Sequence, residues 1–444
     1  MIRFRVDILK LRVKRELYTV IALLLCWCVS ATANDSIAID TVVVDTVVVD
    51  TVPSWDKQMA AELNRMLNDK LLQTSEVAIM IWDLTADSCI YRYQERQRMR
   101  PASTMKVITA ITALDQLGDD YECATELRYT GRIREYQDAP ETLDSLETQK
   151  EPEVPAITKR ALYGNLYCVG GMDPLFGDSD IKAFANAVKQ LTVDSIIGGL
   201  YADRSFKDRK PYGEGWCWDD DNPTLSALLL NRKDRVDDEL RNRIRNSGIV
   251  LWTNAGDAQA PTGSILICRR EHKLTDVLRP MMKKSDNLFA ECVFYQIAHR
   301  QGGKGASADD ARKSMEKVIR KVGLDAGDYT IADGSGLSLY NYVSAELETL
   351  LLRYAYQHRA IYGALLPTLP IAGVDGTLAD RMNGAKVRGN VRAKTGTVAG
   401  VSSLAGYCTA ANGHQLCFSI INQGIKNHKP ARAFQDRVCA VMCR

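Results

Sequence analysis

Three short motifs in the sequence combine side chains that can cleave an amide bond without a metal ion. Ser103 and Lys106 form Ser-x-x-Lys, a nucleophile with an amine one helical turn away. Ser-Asp-Asn follows at 285–287, and Lys-Thr-Gly-Thr at 394–397. A hydrolase of this kind needs a nucleophile, a base, donors for the developing oxyanion and a cation for a terminal carboxylate. Together the three motifs can supply all four.

Ser-x-x-Lys by itself is a weak signal, because it recurs elsewhere in the chain, at Ser179 and Ser314 among other places. Both of those serines lie on predicted amphipathic helices, where serine is typical as a cap and lysine as a solvated charge. Ser103 instead opens an almost continuous apolar helix, where burial would lower the pKa of Lys106 towards that of a usable base. Taken alone, an ordinary helix-capping serine remains an open alternative for Ser103.

The two later motifs occur once each, in the order that this chemistry requires, and they favour Ser103 as the nucleophile. We expect Ser285 to pass a proton between Lys106 and the leaving amine. The amide of Asn287 is expected to bind a backbone carbonyl of the substrate. Singly, Ser-Asp-Asn is a common helix cap, so the argument depends on the ordered set.

The last motif lies on a predicted strand. Its lysine, Lys394, and the hydroxyl groups of Thr395 and Thr397 are expected to bind the terminal carboxylate of a substrate. Gly396 would let the substrate backbone lie alongside as an added strand. The backbone N–H groups of Ser103 and Thr397 are the expected oxyanion donors.

Other kinds of site find no support in the sequence. There is no Gly-x-Ser-x-Gly elbow, the five histidines share no motif, and no Cys-x-x-Cys or Cys/His cluster indicates a metal. We therefore expect no cofactor. Residues 1–33 carry six basic and two acidic side chains, so the rest of the chain has a formal charge near −2, which does not favour nucleic acid as a partner.

The elements that must position these motifs come from the two ends of the folded chain. A predicted hairpin at 77–84 and 89–94 precedes the Ser103 helix, and three predicted strands with a final helix close the chain (386–397, 401–408, 414–422 and 431–443). They can form one five-stranded antiparallel sheet covered by helices, an α/β (α+β) domain. We predict a discontinuous catalytic domain of 55–122 and 272–444, with an α+β domain inserted at 123–271 and a charged surface loop at 134–153.

The ordered triple of motifs is the signature of β-lactamases and penicillin-binding proteins. From about Val77 to the C-terminus, the chain resembles the D-Ala-D-Ala carboxypeptidase/endopeptidase family that includes penicillin-binding protein 4 (peptidase family S13). Further matching stretches lie at 101–106, 164–167, 170–174, 284–291, 333–338 and 372–378. The resemblance implies a transpeptidase-like fold, hydrolysis of the D-Ala-D-Ala bond of peptidoglycan stem peptides, and acylation of Ser103 by β-lactams.

Three positions bear on substrate detail. Leu339 stands where the family usually has an arginine, and Met172 replaces a glycine. Asp173 is a candidate contact for a substrate ammonium group, although an ordinary turn aspartate before Pro174 is an equal alternative. The alternatives for the whole chain are a β-lactamase or esterase on the same scaffold, or a non-catalytic wall-binding protein.

The N-terminus predicts export. A basic stretch, an apolar run at 18–29 and the small triplet ending at Ala33 are typical of a secretory signal peptide, which we expect to be cleaved after about Ala33. The apolar run is short for a permanent membrane span, so we expect a periplasmic protein. The repeat DTVVVDTVVVDTV that follows is interpreted as a spacer within 34–54.

Ten of the 12 cysteines lie beyond the signal segment, in a compartment that permits disulfides. A two-residue turn at Asn412 and Gly413 would place Cys408 opposite Cys417 in the last hairpin. A bridge between them and two buried free thiols are both open.

Overall fold

The structure is a computed structural model that describes residues 54–138, 157–219 and 222–444. The predicted signal segment, almost all of the spacer and most of the predicted charged loop lie outside the described residues. The strands are β1 (Glu76–Asp83), β2 (Ser88–Tyr93), β3 (Glu122–Tyr129), β4 (Arg132–Asp138), β5 (Ile157–Tyr163), β6 (Leu166–Val169), β7 (Ser195–Asp203), β8 (Val250–Asp257), β9 (Ile265–Lys273), β10 (Arg392–Val398), β11 (Val401–Thr409) and β12 (Gln415–Gln423).

The strands form two sheets. The described helices pack on both faces of the five-stranded sheet and on part of the other sheet. They are α1 (Trp55–Met66), α2 (Met105–Leu117), α3 (Asp178–Gln190), α4 (Val236–Asn246), α5 (Leu274–Lys283), α6 (Asn287–Gly302), α7 (Ala308–Lys321), α8 (Ala345–Gln357), α9 (Arg359–Leu365) and α10 (His428–Met442). Among these helices, none combines the length and apolar character of a bilayer-spanning segment.

A five-stranded antiparallel sheet joins the two ends of the described chain in the order β10-β11-β12-β1-β2, as the sequence predicted. Strand β1, which lies between β12 and β2, is buried on both faces because its side chains alternate between two cores. Ala78 and Met80 pack with α2, α6 and α8, whereas Val77 and Ile79 pack with α1 and α10. The apolar sequence of α2 follows from its place inside the first core, where every residue from Met105 to Leu114 is buried.

The second sheet is built from β3 to β9, in the order β4-β5-β7-β6-β3-β9, with β8 paired to β7. The prediction of a charged surface loop at 134–153 is wrong at its start, because Arg134 and its neighbours belong to β4 and pair with β5. An exposed strand needs few apolar residues, so composition alone did not reveal it. The helix α4 was not predicted, because Val236, Leu240 and Ile244 are its only buried residues in a strongly charged segment.

The predicted pairing of Cys408 with Cys417 is wrong. The N–H of Ala410 donates to the carbonyl of His414 (2.9 Å), which leaves a three-residue turn and shifts the register by one. Cys408 therefore pairs with Leu416, and Cys417 pairs with Tyr407. Since a shift of one residue turns a side chain to the other face of a sheet, the two thiols lie in different cores. Both are free.

Candidate active site

Ser103 lies in a short 3-10 turn, Ala102–Thr104, that runs directly into α2. Lys106 is in the first turn of α2, and its Nζ donates to Ser103 Oγ at 2.9 Å. The residue before the nucleophile, Ala102, has a φ of +50°, which is an unfavourable conformation for a residue with a Cβ. A strained backbone thus presents the serine hydroxyl to its predicted base.

The Lys106 side chain is fully buried, and its ammonium group has two further acceptors. Nζ donates to Asn287 Oδ1 (2.8 Å) and to the carbonyl of Ser335 (2.7 Å). Burial lowers the pKa of Lys106 to about 8, because the desolvated charged form is disfavoured; the negative charges of Asp333 and Glu291 partly oppose this. An amine with this pKa can accept a proton near neutral pH.

The Ser-Asp-Asn motif forms the start of α6. Asp286 caps the helix by accepting the N–H of Phe289 at 3.3 Å. Ser285, just before it, has a φ of +59°, and this second strained residue directs its hydroxyl towards β10. There Ser285 Oγ accepts a hydrogen bond of 2.9 Å from Lys394 Nζ. Asn287 uses its carbonyl oxygen on Lys106, which leaves the amide N–H groups for a substrate carbonyl.

Lys394 on β10 is also fully buried. Its Nζ donates to Ser285 Oγ and to the carbonyl of Thr395 (2.6 Å). Burial, together with the charge of Lys106, holds the pKa of Lys394 well below its usual value. The Thr395 hydroxyl donates to Thr377 Oγ1 at 2.7 Å, and the exposed Thr397 hydroxyl donates to the carbonyl of Gly396 at 2.8 Å.

Gly396 allows β10 to approach the nucleophile closely. A Cβ at this position would lie 2.0 Å from Ser403 Oγ, 2.8 Å from the carbonyl oxygen of Pro101 and 3.0 Å from the backbone nitrogen of Ser103. Those distances exclude any side chain. The end of β10, which includes Thr397, therefore lies directly beside the turn that carries Ser103, the arrangement that two backbone oxyanion donors require.

Several residues that organise the site were not predicted. Glu291 accepts the N–H of Ser335 at 2.8 Å, and Asp333 accepts the N–H of Gly336 at 2.8 Å, so two buried carboxylates fix the loop whose carbonyl orients Lys106. Burial raises the pKa of Glu291 to about 8. Thr377 and Ser403 contact the β10 motif and the nucleophile turn. The only indication in the sequence is that four of these residues lie within stretches that resemble the family: Glu291, Asp333, Ser335 and Thr377.

Asp173, the candidate contact for a substrate ammonium group, is fully buried. Its Oδ2 lies 2.6 Å from His272 Nδ1, and its Oδ1 accepts the N–H of Leu175. Both oxygens therefore contact groups of the protein itself. Met172 adopts a φ of +50°, which explains why a glycine is suited to that position.

Leu339 is half-buried, and its carbonyl accepts a 3.0 Å hydrogen bond from Arg100 Nε. The side chain at position 339 carries no charge, so position 339 does not supply the cation that the family resemblance implied, although the guanidinium of Arg100 contacts its backbone.

The sheet, its covering helices and the meeting of the three motifs define a fold of the transpeptidase and β-lactamase class. Within that class, the sequence matches the model of the D-Ala-D-Ala carboxypeptidase 3 (S13) family over residues 59–144, 145–231 and 224–441. The chain belongs to this family of serine-type D-Ala-D-Ala carboxypeptidases.

Individual relatives agree with this assignment. The D-alanyl-D-alanine carboxypeptidase of Actinomadura sp. (strain R39) is 26% identical over 86% of this chain and 84% of the relative. The crystal structure of penicillin binding protein 4 (dacB) from Haemophilus influenzae has a TM-score of 0.71 at 22% identity, covering 85% of this chain and 98% of the other. A structure of that protein complexed with a β-lactam gives a TM-score of 0.67 at 23% identity, over 87% and 99% of the two chains.

Proposed function

We propose that this protein hydrolyses the D-Ala-D-Ala bond of peptidoglycan stem peptides through an acyl-enzyme on Ser103. The observation that carries the proposal is the hydrogen bond of 2.9 Å between the Nζ of the fully buried Lys106 and the Oγ of the half-buried Ser103. The family supplies the substrate class, and the relatives are named for the same activity.

In the acylation step, neutral Lys106 accepts the proton of the Ser103 hydroxyl while Oγ attacks the carbonyl carbon of the penultimate D-Ala. The backbone N–H groups of Ser103 and Thr397 stabilise the oxyanion. The C–N bond then breaks, and the leaving amine of the terminal D-Ala takes a proton delivered through Ser285, whose hydroxyl Lys394 orients. Water attacks the ester, which releases the shortened peptide and restores Ser103.

Other side chains around Ser103 bind the substrate. Asn287 retains amide N–H groups for a substrate carbonyl, because Lys106 occupies only its oxygen. A peptide can extend the sheet at β10 because β10 is an edge strand, and Thr395 and Thr397 present hydroxyl groups for the terminal carboxylate. Lys394 lies buried behind these hydroxyl groups and donates to Ser285 Oγ and to the carbonyl of Thr395.

The carboxylates around Lys106 favour a peptidase over a β-lactamase. Fast deacylation needs a general base that can activate water, and Glu291 and Asp333 are not available for this because they are buried and bonded to backbone N–H groups of the 334–338 loop. Asp286 caps α6 and pairs with Arg232 at 2.5 Å. A β-lactam should therefore acylate Ser103, and the acyl-enzyme should be hydrolysed slowly.

The test is incubation with a labelled penicillin, followed by intact-mass measurement. We expect one adduct on the wild-type protein and none on Ser103→Ala, because only Oγ can form the ester. Absence of an adduct on the wild type would refute the proposal, and rapid nitrocefin turnover would replace it with a β-lactamase. Mass spectrometry of a muropeptide digest then separates release of D-Ala, cleavage of cross-links, and the absence of activity expected of a wall-binding protein.

We also propose export to the periplasm and a discontinuous catalytic domain interrupted at 123–271. The substrate class supports the former, since peptidoglycan lies outside the cytoplasm. The second sheet supports the latter, because its strands run from Glu122 to Lys273, between the first two motifs.

A further inference from the structure

The cation at the predicted carboxylate site is poorly exposed. Lys394 is fully buried, and its ammonium group already donates to Ser285 Oγ and to the carbonyl of Thr395. An incoming carboxylate beside Thr397, on the solvent side of β10, would find the hydroxyl groups of the motif but no free ammonium group. A carboxylate is bound most strongly where a cation can also donate hydrogen bonds to it.

Arg432 on α10 supplies such a cation at this place. Its guanidinium Nη2 donates to Thr397 Oγ1 at 3.3 Å, across 35 residues of sequence. Both residues are exposed, so a ligand can reach the pair from solvent. A planar guanidinium presents two parallel N–H groups to a carboxylate, which a lysine cannot do.

The position of Arg432 is fixed by the next turn of the helix. Gln435 is fully buried, and its Nε2 donates to Ser402 Oγ and to Asn422 Oδ1, each at 3.1 Å. Ser402 is the register partner of Thr397 in the β10–β11 pair. Because residues three apart share a helix face, the contact of Gln435 with the sheet places Arg432 beside Thr397.

Within the part of the chain that the structure describes, the charge of Arg432 is not neutralised. In residues 54–138, 157–219 and 222–444, no carboxylate pairs with its guanidinium. The nearby acid Asp436 pairs with Arg381 at 2.6 Å, and Arg381 also donates to the backbone carbonyl of Arg432. Arg432 is thus an exposed cation whose hydrogen-bond partner is a threonine already expected to bind the substrate.

We propose that Arg432 binds the terminal carboxylate of the substrate, as an ion pair formed beside the hydroxyl groups of Thr395 and Thr397. This inference rests on the proposed function and names the residue that recognises a free carboxylate at the scissile end. On binding, the guanidinium exchanges its bond to Thr397 Oγ1 for bonds to the carboxylate, and the Thr397 hydroxyl turns from the Gly396 carbonyl to the same ligand. Arg432 is a specificity residue that does not take part in proton transfer.

The test compares two thioester substrates that differ only at the leaving group, one with a free carboxylate and one with its methyl ester. For Arg432→Gln we expect kcat/KM for the acid to fall about 10-fold or more, mainly through KM, while the value for the ester changes less than about twofold. Arg432→Lys should restore part of the loss. Arg437→Gln, which removes an arginine of the same helix that contacts Asp69, is the matched control and should leave the acid-to-ester ratio unchanged.

The outcomes separate the two proposals. A wild-type protein that turns over neither thioester and forms no adduct at Ser103 would defeat the proposed function itself. If the wild type is active but Arg432→Gln lowers acid and ester equally, or lowers neither, then Arg432 does not recognise the carboxylate.

Discussion

Lys106 is the residue on which the chemistry depends most directly, since its ammonium form cannot accept the proton of Ser103. Burial lowers the pKa of Lys106 to about 8 and is the largest effect on it. The negative charges of Asp333, Glu291 and Asp286 act in the opposite direction. Ordinary lysines titrate near 10.4, so at neutral pH this side chain has a far larger neutral fraction.

We therefore predict that kcat/KM for a thioester, and the rate of acylation by a penicillin, rise with pH up to about 8. Below the pKa, each pH unit should change the rate about tenfold, because the neutral fraction of Lys106 changes by that factor. Above it, the rate should level off. The measurement is a pH profile from 6 to 10 on protein whose melting temperature is checked at each pH; a flat profile would exclude Lys106 as the base.

At the residue scale, the sequence predicted the groups that belong to spaced motifs, because a reaction fixes their order and type. Ser103, Lys106, Ser285, Asn287 and Lys394 do meet in one place. Glu291 and Asp333 could not be assigned, since an acidic residue in a helix or loop is ordinarily solvated and only the fold shows that these two are buried. Arg432 belongs to no motif, and its contact with Thr397 exists only after α10 packs on the sheet.

At the scale of elements, the approach of β10 to the Ser103 turn depends on one missing side chain. We predict that Gly396→Ala slows acylation by a β-lactam about 100-fold, because the new methyl group would push the strand about 1 Å away from the nucleophile. Acylation can be followed by intact mass. Gly256→Ala is the control, because a Cβ at this β8 position meets nothing within 4 Å; a variant at position 396 with the wild-type rate would show that the close approach is not needed.

The apolar pattern of the sequence predicts some of the strands and helices but not others. Alternating and continuous apolar runs predicted β1, β2, β11 and β12, because those strands face a core. The register of β11 with β12 was predicted wrongly, since it depends on the turn, and a turn of three residues instead of two moves Cys408 and Cys417 to opposite faces. Exposed β4 and the charged helix α4 have little apolar pattern to detect.

At the scale of the whole molecule, the segment between the first two motifs contributes to the site. A loop of that segment places Trp216 so that its Nε1 donates to Asp333 Oδ2 at 2.8 Å, and Arg232 pairs with Asp286 next to Ser285. The same Asp333 fixes the loop whose carbonyl binds Lys106. The segment is therefore joined to the catalytic residues by a half-buried hydrogen bond and by an exposed ion pair.

We predict that Trp216→Phe lowers the free energy of unfolding by about 2 kcal/mol, because a hydrogen bond to a buried carboxylate is lost while the ring is largely kept. Acylation of Ser103 should also slow, since the loop that orients Lys106 becomes less fixed. Denaturant unfolding and a penicillin-binding time course measure the two effects. Trp218→Phe, at a side chain that is 92% exposed, should change neither; equal behaviour of the two variants would argue against a role for Trp216.

The pairing of β1 with β12 has a consequence for biosynthesis. A chain emerging from a ribosome or an export channel in N-to-C order presents Ser103 and Lys106 early, but the strand that must lie beside β1 comes near the end. Until that strand arrives, α2 has no completed sheet to pack against, and β10 cannot approach the nucleophile. With the site that we propose, the folding chain therefore has no reactivity towards a peptide or a β-lactam until its last strands are in place.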